Sequence, residues 1–66
     1  MRNTLRVERA IKNVTQAELA EKIQVSRQTI NAIESAKYVP STVLALKIAA
    51  FFEKKVEDIF SLDETD

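Results

Sequence analysis

Sixty-six residues without a histidine or a cysteine amount to one small domain; they exclude disulfides and thiolate or imidazole metal sites, and they remove the usual bases and nucleophiles of an enzyme. Apolar residues make up 45% and charged residues 30%, too apolar a balance for disorder, while the longest apolar stretches are broken at Lys47 and fall short of a membrane span. The net charge is zero, yet residues 1–47 hold eight Lys or Arg against four Glu and residues 48–66 hold two Lys against six Asp or Glu, which predicts a basic working face and an acidic end kept away from it.

Glycine is absent and Pro40 is the only proline, which speaks against β-hairpins, whose tight turns need residues with φ > 0. The apolar spacing is helical instead. Residues 5–13 read as a first helix with Val7, Ala10, Ile11 and Val14 as its inward stripe. Thr15 opens a second helix through a capping box with Glu18, and Val14 and Leu19 form a hydrophobic staple across that cap. Ala17, Ala20 and Ile23 complete its buried side. Ser26 caps a third helix, stapled by Val25 and Ile30, with Ile30 and Ile33 turned inward. Residues 35–40 form a loop ending at Pro40. Ser41 caps a fourth helix to about Phe52, apolar around much of its circumference and therefore central. Val56, Ile59 and Phe60 anchor a last short helix, and the acidic residues 63–66 are expected to fray. The expected fold is an all-α bundle of five helices, one domain over residues 1–66. Arg2, Arg6, Glu8 and Arg9 interrupt any leader-like apolar core near the start, so the expected location is cytoplasmic. No cofactor, metal or small-molecule ligand is expected.

The second and third helices are short and joined by about three residues, the physical definition of a helix-turn-helix. Ala20 is the small residue the crossing needs, and Leu19, Ile23, Val25, Ile30 and Ile33 fill the inner corners. With Ile30 and Ile33 setting the inward direction of the third helix, about 100° per residue places Gln28, Asn31, Ala32 and Ser35 on the opposite face. Arg27 sits to the side in the first turn, where a long side chain can swing outward. Such a stripe suits base edges: Gln or Asn pairs with adenine N6 and N7, Arg with guanine O6 and N7, and a small Ala meets a thymine methyl. Arg27, Gln28, Asn31 and Ala32 are therefore the expected base contacts. Helix N-termini and flanking donors grip phosphates, which nominates Gln16, Ser26 and Thr29, with Lys37 and Tyr38 from the following loop.

The run Thr15-Gln16-Ala17-Glu18-Leu19-Ala20-Glu21-Lys22-Ile23, followed by Val25-Ser26-Arg27-Gln28-Thr29-Ile30-Asn31-Ala32-Ile33-Glu34, resembles the Cro/phage-repressor (Xre) class of helix-turn-helix regulators. Lys37-Tyr38-Val39-Pro40-Ser41, Leu44-Ala45-Leu46-Lys47-Ile48-Ala49 and Val56-Glu57-Asp58-Ile59-Phe60 continue the resemblance, which spans residues 5–60. It implies a lambda-repressor-like bundle and a prokaryotic regulator that binds operator DNA as a homodimer without an effector domain. It also implies that Gln16 grips the DNA backbone, that Arg9 and Glu34 form an ion pair between the first and third helices, and that residues 1–4 and 60–63 are placed to pair as short strands, as in some short relatives. Where the family often carries glycine, this chain has Asn13, Gln24, Ala36 and Glu53, and Lys55 stands where Ser or Thr usually caps the last helix. The left-handed conformation costs a non-glycine residue about 1 kcal/mol, least for Asn.

Phe51 and Phe52 are adjacent and cannot both point into one small core. Together with Ile59, Phe60 and Leu62, and with Val39 and Pro40 at the rim, they form the expected two-fold dimer surface of a marginal monomer. The expected function is sequence-specific binding of double-stranded DNA by a homodimeric transcriptional repressor. The alternative, which neutral net charge and the acidic Glu34 favour, is a helical interaction module or antitoxin-like partner binder.

Overall fold

Each long helix starts where a side-chain oxygen meets its first free N–H groups. In the computed structural model, which describes residues 1–66, the order is β1 (Arg2–Asn3), α1 (Leu5–Lys12), α2 (Gln16–Ile23), α3 (Arg27–Glu34), α4 (Thr42–Phe52), α5 (Val56–Ile59) and β2 (Phe60–Ser61). The Thr15 hydroxyl accepts from the Glu18 amide and the Glu18 carboxylate accepts from the Thr15 amide, both at 3.0 Å. This is the expected capping box. Ser26 accepts from the Thr29 amide and Ser41 from the Leu44 amide, each at 3.2 Å. Lys55 offers α5 no such oxygen. There only the reciprocal half of a box exists, Asp58 Oδ2 accepting from the Lys55 amide at 3.2 Å.

The helices stop by a common device. Asn13, Gln24, Ala36 and Glu53 all take the left-handed conformation, with φ between 56° and 62°. The next residue then donates its N–H five residues back: Val14 to Arg9, Val25 to Ala20, Lys37 to Ala32 and Lys54 to Ala49, at 2.9–3.0 Å. These bonds satisfy carbonyls that a helix end leaves orphaned.

The core gathers Leu5, Leu19, Ala20, Ile23, Ile30, Ile33, Leu44, Ile48, Ala49, Phe52, Ile59 and Phe60. Val14 and Val25 lie partly buried against it, as staples should. The first helix, however, is turned the other way from the sequence expectation. It buries Leu5 and Glu8, whereas Val7 is 56% and Ile11 72% exposed and Ala10 lies on the surface. The cause is electrostatic: Glu8 receives Lys54 Nζ at 2.9 Å, and on the same side Arg9 reaches Glu34 and Lys12 donates to the Phe51 carbonyl at 3.1 Å. Polar anchoring holds that stripe inward. Ala17 is likewise exposed rather than buried. The fourth helix buries Leu44, Ile48, Ala49 and Phe52 but leaves Val43 and Leu46 outside, so it covers the core from one side instead of running through its centre.

The two ends of the chain meet. Strands β1 and β2 pair antiparallel, Arg2 opposite Ser61 and Asn3 opposite Phe60, and the Thr4 amide donates to the Ile59 carbonyl at 2.9 Å. Asn3 does more than pair. Its Oδ1 accepts from the Leu5 amide at 3.1 Å, starting α1, and its Nδ2 donates to the Ile33 carbonyl at 2.9 Å, tying down the end of α3. Residues 63–66 are not frayed: Asp63 accepts from the amide and hydroxyl of Thr65 at 2.9 and 2.7 Å, bonds that hold its carboxyl down at about 2. The Met1 ammonium lies 3.2 Å from Asp63 and 3.1 Å from Asp66. No helix is long and apolar enough to cross a membrane.

Candidate nucleic-acid interface

The sharp turn between α2 and α3 is made by Gln24 in the left-handed conformation, Val25 half-buried beneath it, and Ser26 as the cap. Ile30 and Ile33 are fully buried, which fixes the rotation of α3 about its own axis. Arg27, Gln28, Asn31 and Ser35 face solvent and Thr29 is half-buried at the edge, as helical geometry demands, but Ala32, expected on the outward face, is half-buried as well. The Arg27 and Gln28 side chains make no hydrogen bond or ion pair within the chain, so a ligand meets them uncommitted. Ser26 and Thr29 share one hydroxyl–hydroxyl bond of 2.9 Å at the N-terminus of α3, which leaves one hydroxyl proton to donate outward. Lys37 and Tyr38 lie exposed in the connection to α4, next to the left-handed Ala36.

Beneath α3 lies a charged seam. The Glu34 side chain is shut off from solvent. Arg9 grips both of its oxygens, Nε on Oε2 and Nη2 on Oε1, the latter at 3.0 Å. Arg9 Nη1 also donates to the Val14 carbonyl at 3.0 Å. Burial pushes the Glu34 carboxyl up, but the bonds from Arg9 and Gln16 outweigh it and hold it below its ordinary value. The same bond raises the Arg9 guanidinium. The pair thus stays ionised, and it fixes the angle of α3 against α1. Arg6, itself mostly exposed, adds a looser contact of 3.6 Å.

Gln16 departs from the sequence expectation in its setting. Its Nε2 donates to Glu34 Oε1 at 3.0 Å and to Asn31 Oδ1 at 3.3 Å. An amide nitrogen has two N–H groups, so a phosphate contact from Gln16 requires one of these bonds to open. Sequence reasoning also missed Asn3. Nothing local marks a residue whose partner carbonyl lies thirty positions along the chain.

The residues expected at a dimer surface divide. Phe52, Ile59 and Phe60 belong to the monomer's own core, because the short α5 and β2 must close its underside. Phe51 is half-buried, edge-on to Phe52 with ring centres 5.0 Å apart and with Lys12 Nζ 4.8 Å above its ring. Leu62 and, at the rim, Val39 are freely exposed, whereas Pro40 is buried. The apolar surface near these residues is instead a groove of about 440 Å³ lined chiefly by Val39, Pro40, Ala45, Leu46, Val56 and the edge of Phe60.

Comparison with known proteins agrees with this geometry. The helix-turn-helix family matches residues 5–59. The chain belongs to the helix-turn-helix family, of the Xre type. It is 54% identical over 66 residues, the full length of both chains, to an uncharacterized HTH-type transcriptional regulator of Methanocaldococcus jannaschii. It is 48% identical over 66 residues to one from Archaeoglobus fulgidus, covering all of this chain and 93% of that one. A Bacillus subtilis protein, the uncharacterized HTH-type transcriptional regulator YgzD, is 47% identical over 64 residues, 97% of each chain. This helix-turn-helix protein therefore shares its whole architecture, and not only its central motif, with archaeal and bacterial relatives. The family is one of transcriptional regulators and not an enzyme class.

Proposed function

We propose that this protein regulates transcription by binding double-stranded DNA sequence-specifically, with α3 as the recognition helix. The observation that carries this reading is the pairing of a rigidly seated α3 with side chains at its leading end, Arg27 and Gln28, that have no partner in the chain. Arg27 suits guanine O6 and N7, Gln28 suits adenine, and Ala32 suits a thymine methyl. Asn31 lies among them. Ser26, Thr29, Lys37 and Tyr38 surround this stripe with donors for phosphates.

One recognition helix makes few base contacts, whereas two copies read two half-sites and add their discrimination. The proposal is therefore a homodimer that places its two α3 helices about 34 Å apart on an inverted repeat. The face that joins the copies is the groove beside Val39 and Leu46, extended by Val43 and Leu62. A dimer seated on promoter DNA occupies it against other proteins, so the proposed action is repression in the cytoplasm.

A salt series tests the DNA reading directly. If six to ten phosphates are neutralised, affinity for DNA falls by about 10³–10⁵ between 50 and 200 mM salt. Binding that is absent at low salt, or indifferent to salt, would exclude the reading.

A further inference from the structure

Glu34 has more cationic neighbours than one carboxylate needs. Arg9 holds both of its oxygens, Oε2 through Nε and Oε1 through Nη2, and that two-pronged pair already balances the charge. Arg6 brings a second guanidinium. Its Nε stands 3.6 Å from Glu34 Oε1, too far for a hydrogen bond yet near enough for attraction. The Arg6 side chain is 72% exposed, whereas Glu34 is shut off from solvent. The seam therefore carries one positive charge in surplus, and that charge lies at the surface.

Its place gives it a use. Gln16 Nε2 lies 3.0 Å from the same Glu34 oxygen, so Arg6 stands beside the first residue of α2. The Gln16 amide nitrogen is spent inside the protein, on Glu34 and Asn31. A phosphate at the start of α2 would meet backbone N–H groups there, but no uncommitted Gln16 nitrogen. A guanidinium has five N–H donors in a planar fork. With Nε toward Glu34, the two Nη groups of Arg6 remain, and their geometry suits two phosphate oxygens at once. We propose that Arg6 is the side chain that grips the DNA phosphate at the start of α2. The inference rests on the proposed DNA binding and deepens it. It adds α1 to the contact surface and takes from Gln16 the grip that the sequence resemblance implies.

The test is equilibrium binding of the full chain over 50–200 mM salt, on a random duplex and on one selected by the native protein. Each neutralised phosphate contributes about 0.9 to the slope of log affinity against log salt. Arg6→Ala should flatten the slope by about that much on both duplexes. Its deficit against the native chain should then shrink about three- to fourfold across this range. Base preference should stay, because phosphates carry no sequence information. Arg6→Lys keeps the charge and should keep the slope, while binding less tightly for want of the fork. Lys22→Ala removes a charge from the last turn of α2 and should leave the slope in place. Gln16→Ala should bind the random duplex more tightly than Arg6→Ala at 50 mM salt. Thermal melting of Arg6→Ala should stay near native, since Arg9 still holds Glu34. An unmoved slope, whatever the melting temperature, would overturn the inference and leave Arg6 a partner of Glu34 only. Equal flattening by Lys22→Ala would overturn it as well, by revealing a loss of general charge. So would the reverse order of the Gln16 and Arg6 variants, which returns the grip to Gln16. If the native chain binds neither duplex in a salt-dependent way, the DNA-binding reading itself falls, and this inference with it.

Discussion

Arg27 and Gln28 occupy the first turn of α3, solvent-facing and without intramolecular partners, so their replacement changes what the protein touches and not how it folds. Arg27→Ala and Gln28→Ala should each lose about 1–3 kcal/mol of operator binding while helical content and melting temperature stay unchanged. Equilibrium binding to operator and to random DNA, read side by side, checks this. Arg9 and Glu34 behave in the opposite way. Removing either strands the other charge in a buried seam, so each alanine should cost more than about 1 kcal/mol of folding stability, and the double variant should recover part of the loss in a double-mutant cycle. The pair also sets a pH dependence. The Glu34 carboxyl lies below its ordinary value of 4.5 in the folded protein, so its contribution is complete above that pH and is lost as pH falls through the lowered value. Thermal melts from neutral to acidic pH should show a smaller acid-induced loss for Glu34→Gln than for the native chain.

Among the elements, the helix ends carry local strain that substitution can relieve. Gln24, Ala36 and Glu53 hold positive φ without the freedom of glycine, and no β-carbon there is needed for the turn. Gln24→Gly, Ala36→Gly and Glu53→Gly should each stabilise by up to about 1 kcal/mol in denaturant unfolding, less the chain entropy that glycine brings, whereas Asn13→Gly should be nearly neutral. Lys55→Ser, supplying the oxygen that α5 lacks, should add about as much again. These positions, like the caps at Thr15, Ser26 and Ser41, were legible in the sequence because the physics is local: a cap and its N–H lie three residues apart. The orientation of α1 was not. Val7, Ala10 and Ile11 share the spacing of one helical face, but Leu5, Glu8, Arg9 and Lys12 share that of another, and hydropathy alone favours the first. What decides is Lys54 and Glu34 arriving from distant parts of the chain, which periodicity does not contain. The outward stripe of α3 was legible from the two buried isoleucines. The inward commitment of Gln16 was not, since it depends on a rotamer and on two partners in another helix.

At the scale of the whole molecule, burial separates residues that hold the monomer from those free to join two copies. Ile59 is 2% exposed, so Ile59→Asp should unfold the chain. Leu46, 55% exposed beside the groove, should tolerate Asp, and Leu46→Asp should give a folded monomer that binds a half-site weakly and no longer favours the inverted repeat. Sedimentation of native and variant proteins, free and on DNA, distinguishes these outcomes. The meeting of the chain ends has a further consequence, one of time. Most contacts here are local in sequence and form quickly, while the β1–β2 pair joins residues nearly the full chain apart and carries the largest loop-closure cost. That small sheet should be the last part to assemble and the first to open. Because Asn3 within it restrains the Ile33 carbonyl, each opening loosens the final turn of the recognition helix, so amide exchange at the end of α3 should follow the rhythm of two strands that lie outside the motif altogether.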